Sequence, residues 1–278
     1  MSTVTASTEL TIEPNPGHHL GRSLLELWAH RAIVVAFADR NVRVKYKQAV
    51  LGIAWAVIQP VAFMVVFTLT VGRLVGNTGG SYAAFALSTL VAWTFLQTAV
   101  TFGANALLTD ASLIRKVYFP REASIAGAIL ASAIDFDIGL GLFAIAGPFL
   151  GARISLTWLL APFLGVILFL LATGIGCLFG ALNVYYRDFR YALPFGLQLW
   201  LFASPVAYPL SVVPAQWRLA YVLLNPAAGV LDSFRRVLTQ GQLPDPTLLL
   251  ISLLQALVIA WFGYRVFKGL EPNFADVV

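Results

Sequence analysis

Six long apolar stretches, at residues 51–75, 83–107, 123–150, 156–183, 192–208 and 248–267, divide this chain, and the segments between them are too short to hold a soluble domain. A bilayer core about 30 Å thick takes roughly 20 apolar residues per helix, so each stretch is long enough to cross one. They are continuous apolar runs, whereas a membrane β-barrel strand would show about ten residues of alternating polarity. Hydrophobic residues make up 59% of the 278 and charged residues 11%, against roughly 25% charged in soluble domains. The expected fold is therefore an all-α membrane protein with six transmembrane helices.

An even number of crossings puts both ends of the chain on one side. Arg73, Arg153, Arg218, Arg235 and Arg236 then fall opposite, and the other 13 of the 18 Lys and Arg share the side of the termini. Basic loops stay in the cytoplasm, so both termini are expected to be cytoplasmic and the protein to sit in a bacterial inner membrane. No basic stretch followed by an apolar core opens the sequence, so no cleavable signal is expected. The net charge of +5 resides in short juxtamembrane segments that meet anionic lipid; with no nucleic-acid module present, nucleic acid is not an expected partner. Cys177 stands alone, which excludes an intrachain disulfide and a multi-cysteine metal site. All three histidines precede the first stretch.

Residues 1–19 read as a disordered cytoplasmic tail and residues 20–278 as a single membrane domain. Within 20–40, Leu24, Leu27, Trp28 and Val35 recur at helical spacing with Arg22, Glu26 and His30 opposite, the pattern of a helix lying in the membrane interface or of a surface helix packed on protein. The loop at 108–122 holds a short helix that Asp110 or Ser112 caps and Pro120 ends, with Arg115, Lys116 and Tyr118 offered to the cytoplasm. Residues 203–246 carry six prolines. Their apolar run is broken at Asn225-Pro226, so two short re-entrant helices are expected between spans five and six, with their backbone satisfied by protein or water.

No nucleotide-binding loop, nucleophile elbow or metal-ligand spacing occurs, so no catalytic, cofactor or metal residue is expected. The carboxylates of the 108–122 loop, Asp110 and Glu122, and Asp188 beyond it each lie beside basic residues that neutralise them. Asp135 and Asp137 are the deepest ionisable residues, and one Asp at a helix centre costs roughly 2.5–3.5 kcal/mol. Two positions apart on a helix they point about 200° from each other, which leaves open a cation site, a channel lining or carboxylates bonded to local donors. Aromatic residues concentrate in spans one, two and five, where they either pack helices or stack on sugar faces.

Several strings carry more information than composition does. Arg43-Val-Lys-Tyr-Lys-Gln-Ala-Val-Leu-Gly-Ile-Ala-Trp55 with Pro60, Val117-Tyr-Phe-Pro-Arg-Glu122, Tyr186-Arg-Asp188 with Pro194 and Trp200, Ser204-Pro-Val206 with Tyr208, Asn225-Pro226, and Glu271 with Phe274-Ala-Asp276 occur in this order. In that combination the chain resembles the permeases of polysaccharide-export ABC transporters, the O-antigen (Wzm-type), capsule and teichoic-acid exporters. The resemblance implies an ATP-driven exporter of a polyprenyl-linked polysaccharide built from two copies of this permease and two copies of a separate ATPase, which alone holds ATP and Mg. It implies an interface helix at 20–40, coupling to the ATPase through Ser112, Leu113, Ile114, Arg115, Lys116, Tyr118 and Pro120, and an outer gate at Asn225 and Pro226. Arg43, Lys45, Tyr46 and Lys47 are then expected at lipid headgroups. Phe63, Phe67, Phe195, Trp200, Phe202 and Tyr208 are expected to line the channel. Lys45 and Lys47 stand where arginine is common in the family, which keeps charge and loses bidentate geometry.

Two other classes remain in view. An ion-coupled secondary transporter would use Asp135 and Asp137 and show internal repeats, which are absent here; a membrane-embedded transferase would need an acid, base or metal cluster near the interface. The topology yields a direct test: with Cys177→Ala as background, Trp217→Cys should react with a membrane-impermeant maleimide in intact cells, and reaction only after permeabilisation would refute the six-span topology.

Overall fold

The computed structural model describes residues 28–47, 52–73, 81–117 and 119–274. The tail expected at 1–19, the opening of the interface helix, Tyr118 and Asp276 lie outside these residues. The described elements are all helical. In chain order they are α1 (Arg31–Lys47), α2 (Trp55–Thr70), α3 (Tyr82–Thr109), α4 (Ala111–Ile114), α5 (Glu122–Phe149), α6 (Ala161–Tyr185), α7 (Phe189–Ala203), α8 (Ala215–Leu224), α9 (Ala228–Arg235) and α10 (Pro246–Leu270). A π-helical turn, Arg236–Gln240, follows α9.

Five helical segments are long and apolar enough to cross a bilayer: Gly52–Thr70, Tyr82–Thr109, Glu122–Phe149, Leu156–Tyr185 and Pro246–Leu270. The fifth expected span is the exception. Its helix, α7, is 15 residues long and stops at Ala203, because Ser204 precedes Pro205 and is held extended at φ −107°, ψ 156°, as the proline ring requires of the residue before it. The Pro-rich segment that follows forms a short turn and then α8 and α9, which meet at Asn225-Pro226.

α3 is the most buried of the five segments and α2 the most exposed. α3 touches α2, α5, α6, α7 and α9, while α6 pairs with α10 and α1 with α5. With no hydrophobic drive between helices in lipid, close approach depends on small residues, and two contacts show it. At the α6–α10 crossing, a Cβ on Gly263 would collide with the backbone carbonyl of Gly174. At the α1–α5 contact, a Cβ on Gly127 would come within 2.5 Å of the Phe37 side chain.

The helix of 20–40 was expected to lie in the interface or to pack on protein; of its apolar stripe Trp28 and Val35 are exposed, at 71% and 59%, while Phe37 and Ala38 are buried. Phe37 meets Gly127 and Lys45 meets Asp135, so the two helices run parallel in equal strides, about 12 Å at 1.5 Å per residue. α1 climbs along the first half of α5 and continues past the expected end to Lys47.

These contacts predict contrasting outcomes for two glycines of one helix. Gly263→Val should exceed the ~1–3 kcal/mol typical of overpacking and abolish a monodisperse peak in detergent chromatography, whereas Gly269→Val, whose Cβ meets nothing within 4 Å, should leave the peak and melting temperature unchanged.

Candidate functional site

Charges are scarce in this chain, and two of the buried carboxylates join helices distant in sequence. At the C-terminal end of α3, Asp110 is 3% exposed. It accepts from the Arg40 guanidinium of α1 at 2.5 Å and from the Ser124 hydroxyl of α5. The short helix α4 leaves directly from Asp110. A groove of about 450 Å³ between α1 and α4 is lined by Ala32, Ile33, Ala36, Phe37, Arg40 and Leu113. Of the residues expected to couple to an ATPase, Ser112, Arg115 and Lys116 are exposed, Leu113 and Pro120 are half-buried, and Ile114 is buried. Val117, which was not singled out, is 55% exposed. Phe119 turns inward to meet Phe37, ring centroids 5.3 Å apart.

At the foot of this loop two of the sequence strings come together. Glu122, buried at the start of α5, pairs with Lys268 of α10 at 2.8 Å and accepts from the Tyr264 hydroxyl at 3.2 Å. Lys268 also bridges to Glu271 at 2.8 Å. Arg121 donates to the Glu271 carbonyl and lies over the ring of Phe274, itself fully buried. The adjacent basic residues expected to neutralise Asp110 and Glu122 are not their partners; arginine and lysine from other helices take that role.

Deeper in the bundle, Asp135 of α5 is bound by both Lys45 and Tyr46 of α1, and Lys45 lies 5.1 Å from the Phe102 ring centroid. These residues were expected at headgroups; within the protein they bind a carboxylate halfway along α5. A cavity of about 60 Å³ adjoins the pair, lined by Lys45, Trp55, Gln59, Thr94, Thr98 and Asp135 among others, roomy enough for a few waters. Arg43 faces outward in an i,i+4 pair with Asp39 at 2.8 Å, whose hydrogen bond and charge raise the guanidinium pKa. Arg43 and Lys47 border a second groove on the exposed side of α1. Asp137 is exposed on the opposite side of α5 from this cluster.

The outer segment is organised around Asn225. Its carbonyl oxygen accepts from the Trp200 indole at 2.9 Å and from the Ala227 amide at 3.2 Å, and its amide donates to the Ala203 carbonyl and the Ser204 hydroxyl. Asparagine suits this post because one planar group supplies two acceptor and two donor directions. Asn225 thus ties the broken α8–α9 backbone to the end of α7. Tyr208 and Tyr221 hydroxyls lie 3.2 Å apart, and the Gln255 amide of α10 donates to the Val222 and Leu223 carbonyls that end α8. Asp232 is 3% exposed and accepts from Arg235 and Arg236 at 2.8–3.0 Å.

The aromatic residues expected along a channel separate into two groups. Phe195 and Phe202 stand exposed on α7 at 66% and 56%. Phe67 is buried, and Phe63 and Tyr208 are half-buried against the core. Trp200 is half-buried, edge-on to Trp93 at 5.5 Å. On α7, the face carrying Leu193, Leu197 and Leu201 is buried and Phe195 and Phe202 lie off it, whereas Phe63 and Phe67 belong to α2.

Comparison with known proteins then fixes the family. The model for the ABC-2 type transporter matches residues 33–239, from α1 through the π-helical turn. The chain belongs to the ABC-2 type transporter family. The O-antigen export system permease protein RfbA of Myxococcus xanthus is 25% identical over 258 residues, covering 92% of this chain and 99% of that protein. A Klebsiella pneumoniae protein of the same description is 22% identical over 88% of this chain and 95% of its own, and the polysialic acid transport protein KpsM of Escherichia coli is 24% identical over 87% and 94%. The ABC-2 chain is thus a multi-pass membrane permease, and the ion-coupled alternative falls away.

The Asp135 cluster of this ABC-2 permease is open to a double-mutant test. Lys45→Met leaves a buried carboxylate without its cation and should lower stability by about 3 kcal/mol, seen as a lower melting temperature in detergent, while Lys45→Met with Asp135→Leu should recover most of that loss. An unchanged melting temperature in the single variant would show that the pair does not hold α1.

Proposed function

We propose that this permease is half of a dimer that, with two copies of an ATPase subunit holding ATP and Mg, exports a polyprenyl-linked polysaccharide across a bacterial inner membrane, both termini cytoplasmic. The observation that carries this reading is the near full-length match to O-antigen and polysialic acid export proteins. Geometry supports the assignment of roles. α4 and the residues after it project from Asp110, a junction of three helices, and present Ser112, Arg115, Lys116 and Val117 outward; such a loop suits the docking of a soluble ATPase. ATP hydrolysis belongs to that partner.

A long polar glycan needs a wide conduit, and the cavity beside Asp135 holds only about 60 Å³. The conduit is assigned to the interface between two copies, walled by α2 and α7. Trp55, Phe195 and Phe202 are exposed on those helices, and aromatic faces stack on sugar rings without selecting one sequence. Asn225-Pro226 stands at the outer end as the gate, with Phe67 and Trp200 supporting the wall from within the protomer.

The loop is the part to test. Ile114 is buried, so a change there would confound docking with folding; Arg115→Glu combined with Val117→Asp alters exposed groups only. This variant should insert normally and retain about a tenth or less of the co-purifying ATPase subunit, the effect of losing a few contacts at an interface centre. Wild-type levels of ATPase association together with wild-type export would remove the docking role from the loop.

A further inference from the structure

Among the described residues, Asp137 is an exposed carboxylate near the middle of the long apolar helix α5. It lies 15 residues from Glu122 and 12 from Phe149 in α5, about 22 Å and about 18 Å along the axis at 1.5 Å per residue. With a hydrocarbon core about 30 Å thick, neither end of α5 brings headgroups within reach of so short a side chain. Among the described residues Asp137 has no hydrogen-bond or ion-pair partner, in contrast with Asp135, bound by Lys45 and Tyr46. It shares its face with Leu130, Ile134, Gly141 and Ile145, all exposed, at the i, i+4, i+7, i+11, i+15 spacing of a single helical stripe. Gly141, one turn from Asp137, has open space where a Cβ would be, so another backbone can approach closely there.

An ionised carboxylate against lipid tails is among the costliest placements a membrane helix tolerates, and such residues face a partner or water. We propose that this stripe of α5 is an intramembrane docking surface for a transmembrane helix of another protein, one that carries an arginine or lysine at mid-depth to pair with Asp137. Charge complementarity selects that occupant over lipid. A second copy of this chain is disfavoured by the dimer face assigned above, on which this ground rests: that face runs through α2 and α7, whereas the stripe lies on the surface of α5 turned away from α3.

The test uses full-length permease in vesicles of phosphatidylcholine and phosphatidylglycerol with a fluorescently labelled Leu/Ala transmembrane peptide bearing one central Arg, beside the same peptide with Leu there. Energy transfer should report association of the Arg peptide with wild-type permease on the order of tenfold stronger than that of the Leu peptide, the scale of one intramembrane polar contact. Asp137→Leu should erase the difference, and Asp135→Leu with Lys45→Met should retain it. Equal association of both peptides with the wild type overturns the proposal. In native membranes, a photoreactive residue replacing Ile134 should yield a discrete adduct that Asp137→Leu abolishes, to a protein whose span contains Arg or Lys. An adduct at twice the permease mass, or to lipid alone, also overturns it. The peptide readout needs no ATPase or export, so it stands or falls apart from the transport assignment.

Discussion

Taking a charge out of water costs several kcal/mol unless an opposite charge or a set of donors meets it, and a chain that is 11% charged places few charges without consequence. In this permease Asp232 pairs locally, and the other buried carboxylates join helices far apart in sequence. Arg40 and Asp110 fasten α1 to the end of α3, Lys268 and Glu122 fasten α10 to the start of α5, and Lys45 reaches Asp135 across two helices. Apolar packing in lipid is weakly specific, since tails and side chains are alike in polarity. These few polar contacts therefore set which helix lies beside which and at what depth.

The depth of α1 follows from that rule. Lys45 and Asp135 fix the end of α1 halfway along α5, and α2 starts from that level, with Trp55 and Gln59 beside Thr94 and Thr98 of α3. The small polar cavity beside Lys45 lies where α1, α2, α3 and α5 meet.

Much of this arrangement was legible from residues alone. The long apolar runs gave the class and five of the crossings, Asn225-Pro226 marked the break in the outer segment, and ordered strings pointed to the transporter family. The early end of α7 was also readable, because Pro205 acts on Ser204 by a local steric rule. What could not be read was pairing over distance. Nothing near Glu122 names Lys268, and nothing near Asp110 names Arg40, since each bond exists only once α5, α3, α10 and α1 are packed. Aromatic orientation was hidden for a different reason: a helix apolar on every side carries no periodic signal, so Phe67 and Phe195 looked alike until α3 was seen to bury one and leave the other exposed.

α10 is held at both ends. At one end Lys268 grips Glu122 beneath the loop that ends in Pro120, and 13 residues earlier Gln255 holds the last carbonyls of α8 beside Asn225. Between these points Gly263 packs directly on the Gly174 backbone. An α-helix is stiff along its axis, so a span of about 20 Å clamped in this way behaves as a push-rod: an axial displacement at the inner end arrives at the outer segment nearly undiminished, without any rearrangement of the aromatic residues in between.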